Sequence, residues 1–218
     1  MGYACQVTSS RRRGRLPVHE RDARRAEILS AAAAELVEVG ALGLTMAAVA
    51  RRAGASKETL YAWFGGRDEL LAALIERNAD ESMAAITKLL DGVPKDLEEA
   101  RGALVAFAHG LLSLLVGPGS VELNRAAVAS PALAQRLLAS GRHRVGPEAE
   151  SFLAGLQERG LLDVPDPAEA FRTFYGLTIR DTQIRVLLGE PAPGAAEIAA
   201  TADRAVEQFL VLVGRGPG

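Results

Sequence analysis

The sequence predicts an all-α fold of about ten helices. Apolar residues recur at spacings of three and four along most of the chain, and no segment shows the strict alternation of a half-buried strand. The composition is 49% hydrophobic but only 5% aromatic, and it is rich in Ala and Leu, which favour helices. Clusters of glycine and proline divide the 218 residues into segments of helical length.

Caps and breakers set the limits of these helices in order along the chain. The first helix ends near Gly40, and the loop 189–194 separates the last two. Pro131 and Pro167 each stand where proline is favoured, in the first turn of a helix. The fifth helix is almost wholly apolar from Ala103 onward, so it is predicted to be central and buried. The predicted helices span about 22–39, 46–52, 57–64, 67–90, 96–116, 121–129, 131–140, from 144–147 to 159, 167–188 and 195–213.

The second and third predicted helices are short and joined by a four-residue turn. Thr45 and Ser56 each stand directly before one of them, where a hydroxyl accepts a hydrogen bond from a free backbone N–H group. Gly54 lies where the chain leaves the first of the pair, a position that favours left-handed glycine. This layout is typical of a helix-turn-helix, whose second helix enters the DNA major groove. On these signals alone, an ordinary pair of capped surface helices fits equally well.

A larger set of residues extends this pattern over roughly residues 22–71. Its members are Arg25, Ile28, Leu29, Ala31, Ala32, Leu36, Gly40, Gly43, Thr45, Val49, Ala50, Ala53, Gly54, Ser56, Thr59, Leu60, Tyr61, Phe64 and Leu70. In this order and at this spacing, without a gap, they resemble the DNA-binding domain of the tetracycline-repressor (TetR) family. The rest of the chain resembles that family only in length and helical character.

The resemblance implies how the DNA backbone would be held. Thr45 and Tyr61 would bind phosphates through their hydroxyl groups, and Arg67 would reach the backbone from the start of the fourth helix. The family more often has Lys in the place of Arg67, so the charge is kept while the hydrogen-bond geometry changes. Trp63 fits either a contact with a DNA sugar or phosphate or a wedge between the third and fourth helices, and packing between the helices is favoured.

The same resemblance places the start of the third helix near the base edges. Lys57 can donate to guanine, and Glu58 can accept from the N4 amino group of cytosine. A solvated or intramolecularly paired carboxylate is an equally good interpretation of Glu58. The residues in this position are Ala55, Ser56, Lys57, Glu58 and Thr59.

One recognition helix reads few base pairs, so a two-fold homodimer on a palindromic operator is expected. The resemblance implies a dimer interface on the last two long helices, 167–188 and 195–213. The last helix carries an apolar stripe at helical spacing, which supports this interface but also fits packing within its own chain. The stripe consists of Ile198, Ala202, Ala205, Val206, Phe209 and Val213.

The second domain is expected, by the same resemblance, to hold a small and largely apolar inducer in a cavity lined by helices 4 to 8. Each candidate contact also fits an ordinary core or surface position. His109 lies on an apolar helix, so a core histidine bonded to a backbone carbonyl is its simplest interpretation. The candidate apolar walls are Phe107, Leu111, Phe152, Phe171 and Phe174, and the candidate polar groups are His109, Asn124 and Arg125.

Charge is divided unevenly along the chain. Residues 1–67 carry 11 Lys and Arg against 6 Asp and Glu, whereas the remainder has a net charge of −7. A basic N-terminal part on an acidic body fits a DNA-binding domain attached to one that does not touch DNA. The sequence therefore predicts a disordered basic arm at 1–20, a helix-turn-helix domain at 21–66 and a helical effector-binding and dimerisation domain at 67–218. The arginines of the arm fit either a solvated tail or a segment that follows the DNA.

Several classes of protein are disfavoured. Cys5 is the only cysteine, so neither an intrachain disulfide nor a cysteine-based zinc site is expected. The longest apolar run, 103–116, is too short to span a bilayer, and the N-terminus lacks the apolar core of a signal peptide. We therefore expect a cytoplasmic protein with no membrane partner and no cofactor. The chain shows no catalytic triad, metal-spaced ligand set or phosphate-binding glycine loop, which argues against an enzyme.

The sequence thus predicts a DNA-binding transcriptional regulator. Its expected form is a homodimeric repressor that a small-molecule inducer releases from its operator. An activator, or a repressor without an inducer, fits the same residues. A non-specific DNA-coating protein and a helical enzyme are the alternatives from other classes.

Overall fold

The computed structural model describes residues 18–213, apart from residues 91 and 93. Within that part of the chain, eleven α-helices and no strands form the fold, which confirms the predicted all-α class. The helices are α1 Val18–Gly43, α2 Met46–Arg52, α3 Lys57–Phe64, α4 Arg67–Leu90, α5 Leu97–Val116, α6 Pro118–Ala129, α7 Pro131–Ser140, α8 Arg142–Glu158, α9 Pro167–Ile179, α10 Thr182–Leu187 and α11 Ala195–Val213.

The first helix is longer than predicted at both ends. It begins at Val18, inside the segment assigned to the basic arm, and it continues past Gly40 to Gly43. Gly40 itself is not helical, because its φ of 73° and ψ of 170° kink the helix there. The predicted stop signal is therefore a kink followed by one further turn. The arm's arginines, Arg11, Arg12, Arg13 and Arg15, lie outside the described residues.

The prediction of a single helix over 167–188 is wrong. The chain breaks at Arg180, the only non-glycine residue of the described part with a positive φ, at 48°. Its guanidinium donates to the Leu177 carbonyl at 3.4 Å and to Gln208 Oε1 on α11 at 2.9 Å. The break thus lies at a residue that contacts a distant helix, and no glycine or proline at that position signals it in the sequence.

Two helix starts also differ from the prediction. Helix α6 begins at Pro118, three residues early, because proline is well suited to the first turn after the extended Gly117. Helix α8 begins at Arg142 and contains Pro147 in its interior. The N–H groups of Arg144 and Val145 both donate to the Gly141 carbonyl at 3.0 Å, so a complete turn forms before the proline.

Buried side chains form two main cores. The N-terminal core joins α1, α2 and α3 to residues 70–75 of α4 and to parts of α6 and α7. The C-terminal core packs α5, α8, α9 and α11 around the stacked rings of Phe107 and Phe174, whose centroids are 5.4 Å apart. The first turns of α4 therefore belong to the N-terminal core, and the predicted division at residue 66 does not coincide with a break in packing.

Helix α5 is long and apolar enough to cross a membrane by length and composition alone. In the fold it packs against α4, α9 and α11, so its apolar character serves the C-terminal core. A helix that is apolar on most sides is expected at the centre of a helical domain as much as in a bilayer.

Candidate DNA-binding surface and ligand cavity

The turn between α2 and α3 has the geometry of a helix-ending Schellman motif. Gly54 has a φ of 56°, and its N–H group donates to the Arg51 carbonyl at 3.3 Å. The N–H group of Ala55 donates to the Ala50 carbonyl at 2.9 Å, which completes the motif. The turn is therefore fixed by backbone bonds that require a left-handed residue at Gly54.

Both predicted caps are confirmed. Thr45 Oγ1 accepts from the N–H group of Ala48 at 3.2 Å, and Ser56 Oγ accepts from that of Thr59 at 3.1 Å. Both cap residues are exposed. A hydroxyl that accepts a backbone bond keeps its own hydrogen as a donor, so Thr45 remains able to bind a phosphate oxygen.

Three arginines of α1 hold the helix pair from behind. Arg24 donates to the carbonyls of Ala53 and Gly54 in the turn, at 2.8 and 3.0 Å. The Arg21 guanidinium lies 5.9 Å from the ring centre of Trp63, and that of Arg25 lies 5.2 Å from the ring centre of Phe64. Trp63 also packs on the N-terminal core, as expected. Sequence analysis missed the role of Arg24; its only signal is the spacing of 21, 24 and 25 on one face of α1.

An ion-pair cluster fixes α2 against α1. Arg52 Nε donates to Glu35 at 2.6 Å, and its terminal nitrogen pairs with Glu38. Glu35 is only 5% exposed, so its charge is held next to the core. The hydrogen bond that Arg52 donates to Glu35, followed by the one that it donates to Glu38, raises the pKa of Arg52 above its ordinary value. The cluster therefore orients α2, and with it the recognition helix.

The outer face of α3 presents polar groups, while Leu60 and Phe64 are buried beneath it. Lys57 and Glu58 are exposed, and Tyr61 is 53% exposed. A hydrogen bond from its own backbone N–H, and then one from the Ser56 hydroxyl, hold the pKa of Glu58 below its ordinary value. The helix start therefore presents one cation and one ionised carboxylate. Ala55 and Thr59 lie beside them, half-buried.

The sequence analysis expected Arg67 to reach from α4 toward the DNA backbone, but its guanidinium bonds within the chain. Its Nε donates to the Leu44 carbonyl at 3.2 Å, and a terminal nitrogen donates to the Ala41 carbonyl. The other terminal nitrogen bonds Asp68 at 3.2 Å. The guanidinium thus ties the start of α4 to the end of α1, because the kinked turn leaves those carbonyls free.

A polar contact links the end of α1 to the second domain. The carboxylate of Glu122, on α6, accepts from the N–H group of Ala41 at 2.7 Å and pairs with Arg125. A Cβ on Gly40 would lie 3.1 Å from this carboxylate, so glycine permits the close approach. Arg125, predicted as a ligand contact, instead donates to the carbonyls of Val186 and Leu187, each at 3.1 Å, at the end of α10.

A cavity of about 290 Å³ lies among α4 to α9, with α10 at its edge. Leu111, Asn124 and Phe171 line it as predicted, and Phe107 lines an adjoining cavity of about 310 Å³ between α4 and α5. The polar lining residues of the first cavity are Asn78, Ser82, Ser120, Asn124, Ser140, Arg142, Tyr175 and Gln183. None of these except Asn124 was selected from the sequence.

Three further residues that were predicted to contact the ligand line neither of these cavities. Phe152 and Phe174 are buried in the C-terminal core and line neither cavity. His109 is exposed on α5, so it is neither a core histidine nor a cavity residue. The nearly uniform apolarity of α5 gave no indication of which face would be buried, which is why His109 was assigned wrongly.

The apolar stripe of α11 packs within its own chain, the alternative that the sequence left open. Ile198, Ala202, Ala205 and Phe209 are all buried against α5, α9 and their neighbours, so they are not available to a partner. The large apolar residues that remain exposed on α10, directly after it and on α11 are a different set, namely Ile184, Leu188, Val211 and Leu212.

Two family models match the chain. Residues 28–74 match the bacterial regulatory proteins of the tetR family, and residues 102–212 match the C-terminal domain of AefR-like transcriptional repressors. Among curated proteins, the HTH-type transcriptional activator FasR of Mycolicibacterium smegmatis is 35% identical over 98 residues. That alignment covers 45% of this chain and 43% of FasR, so less than half of that regulator is spanned.

Solved structures resemble most of the chain. A TetR transcriptional regulator from Agrobacterium tumefaciens is 37% identical with a TM-score of 0.69, over 87% of this chain and 94% of that one. A TetR-family regulator from Mesorhizobium loti is 26% identical with a TM-score of 0.77, over 89% and 98%. Members of this family are soluble DNA-binding regulators rather than enzymes, and they bind small ligands and function as dimers. The chain belongs to the TetR family of bacterial transcriptional regulators.

Proposed function

We propose that this regulator is a homodimeric repressor that binds a palindromic operator and is released from it by a small, largely apolar inducer. The observation that carries the proposal is the continuity of α4. Its first turns belong to the N-terminal core behind the helix-turn-helix, and Asn78 and Ser82 of the same helix line the cavity. The protein would act in the cytoplasm, together with the DNA that it binds.

On the DNA, the exposed start of α3 would read base edges. Lys57 donates to guanine and Glu58 accepts from cytosine, in keeping with the exposure of both side chains. The Thr45 and Tyr61 hydroxyls bind phosphates and set the register of the helix. We assign Arg67 a positioning role, since its N–H groups already bond within the chain.

The homodimer would use the outer faces of α9, α10 and α11. Ile184, Leu188, Val211 and Leu212 are exposed apolar residues there, which supports a self-complementary surface in place of the buried stripe. A two-fold axis between these faces would place the two α3 helices in successive major grooves of a palindrome.

Release would follow from a change in the position of α4. A ligand that fits the cavity better when α4 is displaced favours a dimer whose α3 helices no longer match the two half-sites. The contact from Glu122 to Ala41 and the bonds from Arg125 to α10 supply a second connection between the domains. Equal inducer affinity of the free and the operator-bound dimer, measured by titration, would exclude this coupling.

The test of the DNA-reading role is selection of preferred sites from a random DNA pool by the purified protein. We expect a palindrome with half-sites about one helical turn apart. Lys57→Ala should relax the preference at one base position, since a good contact to a base contributes about 1–3 kcal/mol of discrimination. Tyr61→Phe should weaken binding to all sequences alike, and Lys88→Ala, an exposed lysine near the end of α4, is the control that changes neither.

Two results would overturn this assignment. Selection of non-palindromic or random sequences, with binding that depends steeply on salt, would indicate a DNA-coating protein. Unchanged affinity and preference in Lys57→Ala would show that α3 reads bases with other residues.

Activation is the second candidate function, because the matched regulator FasR is a transcriptional activator. The C-terminal match to AefR-like repressors favours repression. A reporter gene placed behind the selected operator decides between them. Removal of the regulator should raise expression if it represses and lower it if it activates.

A further inference from the structure

The polar residues that line the cavity of about 290 Å³ include a single charged side chain. Arg142 is that residue, and no aspartate or glutamate occurs among the lining residues of the described chain. The remaining lining is mostly aliphatic, with Leu111, Leu114 and Val145 among its members. The Arg142 side chain is exposed to solvent at the edge of the cavity, so the guanidinium offers its N–H donors to an anion there through geometry rather than through a low dielectric.

Arg142 has no carboxylate partner among the described residues. Its guanidinium lies 4.4 Å from the ring centre of Tyr175, another lining residue. Arg144, two positions further along α8, pairs instead with Asp80 at 2.7 Å, away from the cavity. An arginine stacked on an aromatic face keeps its in-plane N–H donors for a planar anion such as a carboxylate.

Tyr175 adds a second donor at this end of the cavity. Burial raises the pKa of its hydroxyl above the ordinary value, and the nearby Arg142 only partly opposes that effect. The phenol is therefore neutral at physiological pH and retains its proton for donation. Gln183, which also lines this region, can donate as well.

A second, mostly apolar cavity adjoins the first between α4 and α5, and the two together are termed the passage. The adjoining cavity shares Asn78, Ser82, Ile86, Leu111 and Leu114 with it and ends among Ala85, Leu89 and Ala106. Its charged residue is a glutamate, Glu81, which pairs with Arg77 at 3.5 Å. Positive charge thus lies at one end of the passage only, which gives a bound molecule a direction.

We infer that the ligand of this regulator is an anion with an extended apolar body. Its head group, a carboxylate or a phosphate, binds Arg142 and Tyr175, and its body runs between α4 and α5 past Leu111 and Leu114. This inference rests on the proposed function, because it names the chemical class of the inducer.

The test is calorimetric titration of the full-length protein with four ten-carbon probes, each below its micelle concentration. Decanoate and decyl phosphate carry an anionic head, decanol a neutral one and decyltrimethylammonium a cationic one. We expect at least one anion to bind about tenfold or more tightly than decanol, as a charge-assisted bond warrants, and the cation to bind weakest. Comparison of the two anions identifies which head group is accepted.

Arg142→Gln should remove the tighter binding of the anion, so that the preferred anion binds no better than decanol. Arg144→Gln is the matched control, since it removes a positive charge from the same helical turn outside the cavity, and it should leave the preference unchanged. Arg142→Lys should retain part of it. A wild type that binds decanol or the cation as tightly as both anions, or an Arg142→Gln variant that keeps the preference, overturns the inference.

The position of the apolar body has its own test. Leu114→Trp places a large ring at a wall shared by both cavities. It should weaken decanoate about tenfold or more while it leaves butyrate, which reaches only the Arg142 end, nearly unaffected. Equal losses for both acids would show that the body does not follow this passage.

Failure of this inference can be distinguished from failure of the proposed function. Operator binding is measured with the same probes in the same preparation. If a neutral or cationic compound alone releases the operator, the inducer mechanism stands and the ligand class is wrong. If the anions bind at Arg142 but the operator affinity is unchanged, the ligand class stands and induced release is wrong.

Discussion

The DNA-binding unit and the helical body are encoded in different ways. In the first, Thr45 and Ser56 cap α2 and α3, and Gly54 closes the turn between them. In the second, Asp96 and Asp166 cap α5 and α9 in the same way, but the break between α9 and α10 lies at Arg180, whose guanidinium contacts Gln208, 28 residues away. The turn that positions the recognition helix thus follows from local signals, whereas this break in the body lies beside a long-range contact.

The two regions also differ in what holds them together. Behind the helix-turn-helix, arginines bond to backbone carbonyls and carboxylates, as Arg24 and Arg52 do. In the body, stacked and edge-on aromatic rings form the centre, with Phe174 between Phe107 and Phe209. A polar frame fixes direction, which a DNA reader needs.

The largest expected effect tests the body. Phe209 is 0% exposed and meets the ring of Phe174 edge-on at 5.3 Å, so Phe209→Ala should lower the free energy of unfolding by about 3–5 kcal/mol. Leu212→Ala, on the same helix but 65% exposed, should change it by less than about 0.5 kcal/mol in the isolated protomer. Chemical denaturation at several protein concentrations measures both.

Leu212 also tests where the dimer forms. Leu212→Glu places a charge on the proposed outer interface and should convert the dimer to monomer in sedimentation experiments without unfolding it. If Leu212→Glu sediments as the wild type does, the dimer uses another surface.

The next prediction concerns the contact between the DNA-binding unit and the helical body. Glu122→Ala leaves the N–H group of Ala41 and the guanidinium of Arg125 without this partner, and Glu122 has a side chain only 14% exposed. We expect a loss of about 1.5–3 kcal/mol in the free energy of unfolding. Glu169→Ala breaks an exposed pair with Arg172 at the same i,i+3 spacing and should cost less than about 1 kcal/mol. Equal losses in the two variants would show that Glu122 contributes no more than a surface pair.

Sequence analysis was accurate where local signals bound a helix, in both regions: the ranges of α7 and α11 in the body match their predictions, whereas α1 differs at both ends. The ranges of α2 and α3 were predicted to the residue, because caps and a left-handed glycine act within a few positions. The contact of Arg24 with the turn joins residues 29 and 30 positions apart, and no local pattern contains it. The cavity's Arg142 was missed for the same reason, since its importance depends on Tyr175 and on the absence of lining carboxylates in the described chain.

A further prediction makes a Gly→Ala substitution in each of the two regions and expects opposite changes in the free energy of unfolding. Gly54→Ala forces alanine to a φ of 56°, although no atom would touch the new Cβ, and should destabilise by about 1 kcal/mol. Gly102→Ala, at an exposed position inside α5 with open space around it, should stabilise by up to about 1 kcal/mol. Thermal unfolding compares the two, and a common sign would show that the turn geometry is not the controlling factor.

The smallest expected effect is a pH dependence at Glu58. Its pKa is lowered in the folded protein, so the carboxylate stabilises the folded state above the ordinary glutamate value of 4.5, and this contribution is lost as the pH falls below that value. The stability difference between the wild type and Glu58→Gln should therefore be present at pH 7 and shrink toward pH 4. The same substitution at Glu98, exposed in the first turn of α5, controls for loss of a charge near a helix start. A difference that grows on acidification would contradict the prediction. Because Glu58 stays ionised throughout the physiological range, the base preference of α3 at its contact should not change between about pH 5.5 and 8, which separates operator choice from any pH response of the body.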